Sequence, residues 1–318
     1  MADQAARRPG YVVVVGVDGS ADASRAISYA AEEIRRTQGR LRLVHVVPET
    51  VPMAAMLPLF GSDTLVEVGR RLLAEAESLA TESLADDAPV ETVLSHGPRV
   101  DALLAHTRDA GLVVLGRRPS LLAHIRTGST TSAVAARAGC PVVGVPEEWS
   151  RTQRFGRVIA AVDGSSATTT VLEAGLAAAQ DRRARLVVLH AWRPLAPYDS
   201  VLSGPRAAES WQRQAEPVLW AMVAGPRAAY PEVEVQVDLH YERTADALVA
   251  AGRTADLMVL GRRGDGRPSG MLLGSTPRAL LRAGVCPVEV VPSPSPEPRL
   301  PRQSKAATRG AATGGRRR

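Results

Sequence analysis

The segment Val12–Ser20, which reads VVVVGVDGS, returns later in the chain as Val158–Ser165, which reads VIAAVDGS, with Asp18 and Asp163 145 residues apart. The same offset relates LGRR at 115–118 to LGRR at 260–263, and it becomes 146 where GST at 128–130 returns at 274–276. One residue was therefore gained or lost in the glycine-rich loop between these motifs. Because solenoid repeats run about 20–50 residues, this repeat indicates two copies of one globular domain.

Each copy alternates short β-branched segments with segments of helical periodicity. The predicted strands of the first copy are 11–17, 41–47, 90–95, 112–116 and 141–145, and its predicted helices are 21–37, 63–85, 99–109 and 130–138. The second copy has predicted strands at 157–162, 185–191, 233–239, 256–261 and 287–291. Continuous apolar runs such as 112–115 are typical of parallel strands covered on both faces. The pattern predicts an α/β fold: two tandem copies of a doubly wound, five-stranded parallel-sheet domain.

The predicted boundaries are 9–147 for the first domain, 155–292 for the second and 293–318 for a basic tail. The tail lacks periodicity and is rich in Pro, Gly and Ser, which predicts disorder. It carries seven positive residues and one acid, so it supplies the whole formal charge of +6. The neutral body argues against nucleic-acid binding, which needs a basic face. The arginines at the end of the tail are interpreted as solvated, with weak contact to an anionic surface as the alternative.

Lysine and cysteine usage excludes several kinds of site. Lys305, in the tail, is the single lysine of the chain. Both domains therefore lack a lysine for a P-loop, a kinase-type phosphate contact or a Schiff base. The two cysteines, Cys140 and Cys286, precede Pro-Val at equivalent positions. They stand apart from clustered histidines, which argues against zinc or disulfide sites and favours buried structural thiols.

The chain shows no sign of a membrane segment or a signal peptide. No stretch approaches the ~18–20 apolar residues of a transmembrane helix. Residues 1–10 are mostly polar and contain arginine, unlike a secretory leader. We therefore expect a soluble, cytoplasmic protein.

A candidate ligand site lies in the second copy, at the carboxyl ends of strands one and four, where the winding of an open sheet reverses. Strand one ends at Asp163, and strand four leads into Gly261–Gly264. Nine residues later, Gly274–Pro277 (GSTP) is predicted to open a helix, with Ser or Thr as N-cap and proline at the first helical position. Glycines before a helix N-terminus let phosphates approach the backbone. The acid could accept hydrogen bonds from an adenine amino group or a ribose hydroxyl.

The spacing Gly-x2-Gly-x9-Gly-Ser, the aspartate of strand one and the Cys-Pro-Val strand together resemble the universal stress protein family in its tandem form, over about residues 10–292. The resemblance implies a Rossmann-like, nucleotide α-hydrolase-like domain that binds ATP, accompanied by Mg²⁺. It implies contacts to adenine, ribose and phosphates from Asp163, Ala191, Gly261, Gly264, Gly274, Ser275 and Thr276. It also implies that the last strands, Cys140–Val145 and Cys286–Val291, pair within the chain and cap two sheet edges. A homodimer is a further option.

The first copy departs from this pattern. It keeps five residues at motif positions, which are Asp18, Val46, Gly116, Gly128 and Ser129. Pro119 stands at the place of Gly264, and the spacer that follows is one residue shorter. Proline removes an N–H donor and fixes φ near −65°. We therefore expect a weaker second nucleotide site in the first copy.

Three hypotheses for the function remain open. The leading one is a non-enzymatic, ATP-binding stress protein whose occupancy changes how it meets an unidentified protein partner. The second is a slow ATPase on the same fold, which the absence of a positioned base or phosphate-binding lysine disfavours. The third is an interaction module that binds no nucleotide.

Two groups of polar residues also have alternative roles. His45 and His190 end strand two of each copy, and a structural role is favoured over that of a catalytic base. Arg262, Arg263 and Arg267 lie in or beside the glycine-rich loop of the second copy. They are interpreted either as solvated loop residues or as phosphate contacts.

Overall fold

The computed structural model describes residues 10–48, 62–84, 88–117, 130–192, 205–264 and 273–292. The predicted tail at 293–318 lies outside these ranges, as do Pro119, Gly128, Ser129 and Arg267.

Strands and helices alternate through the described part of the first copy. In chain order they are β1 (Val12–Val17), α1 (Ala21–Thr37), β2 (Arg40–Val47), α2 (Ser62–Ser83), β3 (Val90–His96), α3 (Arg99–Ala105), β4 (Leu112–Gly116), α4 (Thr130–Arg137) and β5 (Val142–Val145).

The described part of the second copy repeats this order. Its elements are β6 (Arg157–Ala161), α5 (Thr168–Arg182), β7 (Arg185–Ala191), α6 (Pro205–Arg227), β8 (Val235–His240), α7 (Thr244–Gly252), β9 (Leu257–Gly261), α8 (Ser275–Ala283) and β10 (Val288–Val291).

Several element boundaries differ from the prediction by one or more residues, and at two of them local turns replace the regular pairing. Helix α3 ends at Ala105 and not at residue 109. The N–H groups of His106 and Thr107 bond to carbonyls three residues back, at 3.1 Å each, which ends the i−4 pattern of an α-helix. Strand β8 begins at Val235 and not at residue 233, since the N–H of Val233 donates to the Tyr230 carbonyl in a turn at 3.1 Å.

All ten described strands form one sheet in the order β3-β2-β1-β4-β5-β10-β9-β6-β7-β8. Every strand pair within a copy is parallel. Strands β5 and β10 pair antiparallel, with Val142 opposite Val290 and Gly144 opposite Val288. The predicted α/β fold with two doubly wound parallel units is confirmed, and the pairing expected of the two last strands joins them within the chain.

The two faces of the sheet are covered differently. On one face a single buried cluster runs through both copies and includes Val12 and Val14. On the other face each copy has its own cluster, and the first of these contains Val13 and Val15. Successive side chains of a strand point to opposite faces. A strand buried on both faces therefore needs an apolar residue at every position, which explains the unbroken valine run of β1.

A nearly buried polar contact joins the helices α1 and α5 across the boundary between the copies. The guanidinium of Arg182 donates to the Tyr29 hydroxyl at 3.0 Å and also pairs with the Glu33 carboxylate. The side chains of Arg182 and Glu33 are only 10% and 9% exposed. Burial raises the pKa of Tyr29 well above its ordinary value. The two copies thus meet through an ion pair as well as through strand pairing.

Candidate functional site

A cleft of about 190 Å³ opens at the carboxyl ends of β6 and β9 in the second copy. These two strands are neighbours in the sheet, and the winding of the second copy reverses between them. Six of the seven predicted site residues line this cleft, and they are Asp163, Gly261, Gly264, Gly274, Ser275 and Thr276. Residues from two distant parts of the sequence therefore meet at the switch point, where ligands bind in open α/β sheets.

Ala191 is the seventh predicted residue and has a different position. It ends β7 and is 7% exposed, and it is absent from the described residues that line the cleft. Its carbonyl accepts a hydrogen bond from the Thr244 hydroxyl at 3.1 Å. Thr244 does line the cleft, so Ala191 contacts a lining residue but does not itself line the cleft.

The carboxylate of Asp163 is oriented by the turn that follows β6. Its Oδ1 accepts the backbone N–H of Ser165 at 3.0 Å, and Gly164 between them adopts a φ of +80°. Most side chains avoid this left-handed region, which suits glycine. The turn fixes one carboxylate oxygen and leaves the second, Oδ2, outside this hydrogen bond.

Gly264 lies directly against that second oxygen. A Cβ added at Gly264 would overlap Asp163 Oδ2. The loop after β9 can therefore approach the aspartate this closely only with glycine at this position. The glycine motif and the aspartate of strand one thus form a single structural unit, which their separation in the sequence does not show.

Helix α8 begins differently from the prediction. Its N-cap is Gly274, with φ −63° and ψ 163° and no side-chain cap, whereas Ser275 or Thr276 was expected there. Pro277 consequently occupies the third helical position and not the first, where its missing N–H still costs no intrahelical bond. The helix thus begins two residues before Pro277, and the N–H of its N-cap, Gly274, donates to the Arg262 carbonyl at 2.9 Å.

The loop arginines divide into two roles. The guanidinium of Arg262 donates to the carbonyl of Ala136 at 3.1 Å and to that of Ala138, at the end of α4 in the first copy. Its counterpart Arg117 donates in the reverse direction, to the Arg282 carbonyl in α8. These two arginines join the copies, so the solvated and the phosphate-contact interpretations are both wrong for Arg262. Arg263 lines the cleft.

The histidines at the ends of β2 and β7 are held by identical contacts. Nδ1 of His45 lies 2.8 Å from the Val17 carbonyl, and Nδ1 of His190 lies 2.8 Å from the Val162 carbonyl. Because a carbonyl only accepts, Nδ1 carries the proton in each ring. Each imidazole therefore ties the end of one strand to the end of its neighbour, which supports the structural interpretation.

The first copy has a corresponding cleft of about 100 Å³. Asp18, Val46 and Gly116 line it, while Gly128 and Ser129 lie outside the described residues. Asp18 Oδ1 accepts both the N–H of Ser20 at 3.1 Å and its hydroxyl at 2.5 Å. Among the hydrogen bonds of the described residues, the aspartate of the first copy accepts two and Asp163 accepts one.

Sequence reasoning missed two threonines of the second-copy cleft, Thr168 and Thr244. Thr168 is the first residue of α5, and the 145-residue offset places it opposite Ala23 of the first copy. The change from alanine to threonine, which adds a hydroxyl, was the signal that could have identified it.

Three aromatic residues also lie together beyond β7, where Trp192 stacks on Trp211 at a ring distance of 5.8 Å and Tyr241 packs beside both.

Two features are absent from the described residues. No group of three or more His, Cys, Asp and Glu side chains there could hold a metal ion. Among the described helices, none combines the length and the apolar character needed to cross a bilayer.

Comparison with known proteins agrees with this architecture. The family model described as "Universal stress protein family" matches residues 12–146 and 154–292. Universal stress protein Rv1996 of Mycobacterium tuberculosis is 30% identical over 309 residues, covering 91% of this chain and 97% of the relative. Rv2005c of the same species is 32% identical over 288 residues, covering 87% and 96%.

Among solved structures, a universal stress protein from Archaeoglobus fulgidus superposes with a TM-score of 0.68. The two chains share 19% identity, and the match covers 91% of this chain and 98% of the other. Identity at this level supports the fold alone. Family membership rests on the double match to the family model and on the mycobacterial relatives, which cover most of the sequence. The chain therefore belongs to the universal stress protein family, as a tandem of two family domains.

Proposed function

We propose that the second copy binds ATP and that the protein acts in a stress response through nucleotide-dependent contact with another protein. The observation that carries this proposal is the convergence of three features in one cleft: the Asp163 carboxylate, the loop glycines and the N-terminus of α8. A helix N-terminus favours phosphate, since its first N–H groups lack intrahelical acceptors and the dipole is positive there. The aspartate supplies an acceptor for ribose or adenine donors.

The residues of the cleft fit such a ligand. At Gly264 a side chain would fill the space beside Asp163, and at Gly274 a Cβ would stand 3.3 Å from the Arg262 carbonyl and from Pro277. Glycine at both positions therefore lets the loop and the start of α8 pack closely around the cleft. Mg²⁺ belongs to this proposal as a companion of the phosphates. The described residues offer it no cluster of three ligands, so phosphate oxygens and water would supply most of its coordination.

Arg262 provides a route from the cleft to the rest of the molecule. Its carbonyl accepts the N–H of Gly274 at 2.9 Å, while its guanidinium holds the end of α4 in the first copy. A ligand that moves the start of α8 would therefore also move Arg262 and change its contact with the first copy. A ligand can shift the protein between two conformations only if it binds one of them more tightly than the other. We expect the two conformations to differ at the contact between Arg262 and α4.

The direct test is to identify nucleotide in the purified protein. We expect mass spectrometry of the supernatant after denaturation to show ATP, and titration calorimetry of the nucleotide-free protein to show about one site per chain. Binding of neither ATP nor ADP at millimolar concentration would refute the proposal and favour the nucleotide-free interaction module. Comparing the proteins that this chain captures with and without ATP then tests whether its contact with a partner depends on the nucleotide.

A slow ATPase on the same cleft is the alternative within this proposal. His190 is held against the Val162 carbonyl, and the domains contain no lysine, so we propose that the protein is not an enzyme. Steady-state phosphate release distinguishes a slow ATPase from a protein that only binds ATP. Sustained release that disappears in Asp163→Ala would establish hydrolysis. The cytoplasmic location is part of the same proposal, and cell fractionation tests it.

A further inference from the structure

Thr168 presents a buried hydroxyl to the second-copy cleft. The residue is 6% exposed and lines the cleft. Within the described part of the chain its Oγ1 has no hydrogen-bond partner, although its backbone N–H donates to the Ser165 carbonyl at 3.0 Å. A buried hydroxyl without a partner is costly, and most such groups in proteins are hydrogen-bonded. This hydroxyl is therefore available to a ligand that enters the cleft.

The packing of α5 shows which end of the cleft Thr168 serves. A Cβ added at Gly261, at the end of β9, would lie 3.0 Å from the Cβ of Ala167, the residue before Thr168. The start of α5 therefore rests on the side of β9, together with the loop glycines and the N-terminus of α8. The end of β7 lies on the opposite side of β6 in the sheet. Thr168 thus belongs to the end of the cleft suited to phosphate.

The charge environment at this end favours an anion. The helix α5 has 15 residues and α8 has nine, and both N-termini line the cleft through Thr168 and Ser275. The positive ends of two helix dipoles therefore meet in one place. A hydroxyl donor in such surroundings matches the acceptor oxygens of a phosphate group.

We propose that the Thr168 hydroxyl donates a hydrogen bond to a phosphate oxygen of the nucleotide, as a specificity-determining residue of the second copy. The inference rests on the proposed nucleotide binding and assigns a further contact to the same cleft. The first copy has Ala23 at the equivalent position, where it also lines the cleft and is 5% exposed. Its cleft therefore lacks this donor, in addition to the changed glycine loop.

The test compares Thr168→Val with Thr168→Ser by titration calorimetry, using ATP and adenosine. Valine keeps the shape and removes the hydroxyl, so we expect ATP to bind about tenfold more weakly, which corresponds to about 1.4 kcal/mol. Adenosine should bind as it does to the unchanged protein, because it has no phosphate. Serine restores the donor and should keep ATP affinity within about threefold. Thr169→Val, the same substitution at the exposed neighbouring position, is the control and should change neither affinity.

The melting temperature without nucleotide separates a ligand contact from a structural role. Exchanging a buried unpaired hydroxyl for a methyl group is neutral or stabilising, so Thr168→Val should melt no lower than the unchanged protein. Unchanged ATP affinity in Thr168→Val, or an equal loss for ATP and adenosine, would overturn the phosphate contact while the proposed ATP site stands. A lower melting temperature accompanied by weaker binding would make Thr168 structural. If the unchanged protein binds no nucleotide, the proposed function itself fails.

Discussion

Replacing Gly264 with alanine perturbs the cleft at its tightest point. The added Cβ would overlap Asp163 Oδ2, so either the carboxylate rotates away or the loop after β9 withdraws. The first movement takes the carboxylate from its place beside the ligand, and the second takes the glycine loop from its place. Hydrogen bonds to charged groups are worth roughly 1.5–3 kcal/mol, so we expect ATP to bind about 10- to 150-fold more weakly.

A double-mutant cycle shows whether the effect acts through the aspartate. We expect Asp163→Ala alone to weaken ATP about tenfold or more, on the same physical grounds. Once Asp163 is alanine the added methyl has nothing to displace, so Gly264→Ala should then add less than about threefold. Titration calorimetry of the two single variants and the double variant measures this coupling.

Gly225 in α6 offers a matched control, because a Cβ there meets no described atom within 4 Å. Gly225→Ala should leave the affinity for ATP unchanged. Additive losses for Asp163→Ala and Gly264→Ala would refute the reasoning. They would mean that Gly264 acts through its own approach to the ligand and not by making room for the carboxylate.

Four further predictions address the rest of the molecule. A bulky substitution at Gly274 should abolish ATP binding while the same change at Gly128 barely alters it, and two equivalent sites in calorimetry would contradict this asymmetry. Arg182→Ala should lower the free energy of unfolding by about 1.5–3 kcal/mol, since it removes charge-assisted hydrogen bonds to the nearly buried Glu33 carboxylate while Arg36 stays paired with it; a denaturant midpoint unchanged at equal m-value would contradict it. Burial raises the pKa of Cys286 to about 12, so the unfolded chain loses this proton first as pH rises. The free energy of unfolding should therefore fall above about pH 9 by up to about 1.4 kcal/mol per pH unit, and less steeply in Cys286→Ala. A chain ending at Pro292 should melt at an unchanged temperature, and a loss of several degrees would show that the tail docks on the domains.

The asymmetry between the copies has a consistent physical basis in three places. The first copy carries Pro119 in place of Gly264 and Ala23 in place of Thr168. Its aspartate accepts two hydrogen bonds from Ser20, whereas Asp163 accepts the single N–H of Ser165 among the bonds described for it. Each difference reduces the donors or acceptors that a nucleotide could reach. We therefore expect the second copy to bind nucleotide more tightly while both copies contribute to the shared core.

The sequence alone determined the duplication, the α/β class, the approximate strand positions and six residues that meet in the cleft. These properties depend on local patterns: hydrophobic periodicity, glycine spacing and a fixed offset between the repeats. Helix ends were less accurate, as at α3 and at Gly274. They depend on single hydrogen bonds, such as that from Gly274 to Arg262, which periodicity does not encode.

The tertiary structure decided everything that depends on contacts between distant residues. Arg262 is in the glycine motif but reaches across to the first copy, and no local pattern contains its partners. The contact of Gly264 with Asp163 spans about a hundred residues of sequence and needs β6 and β9 to be neighbours. Thr168 became a candidate only when its hydroxyl proved to be buried and without a partner among the described residues. Burial and hydrogen-bond satisfaction are properties of the packed chain, because each arises only when segments far apart in the sequence come together.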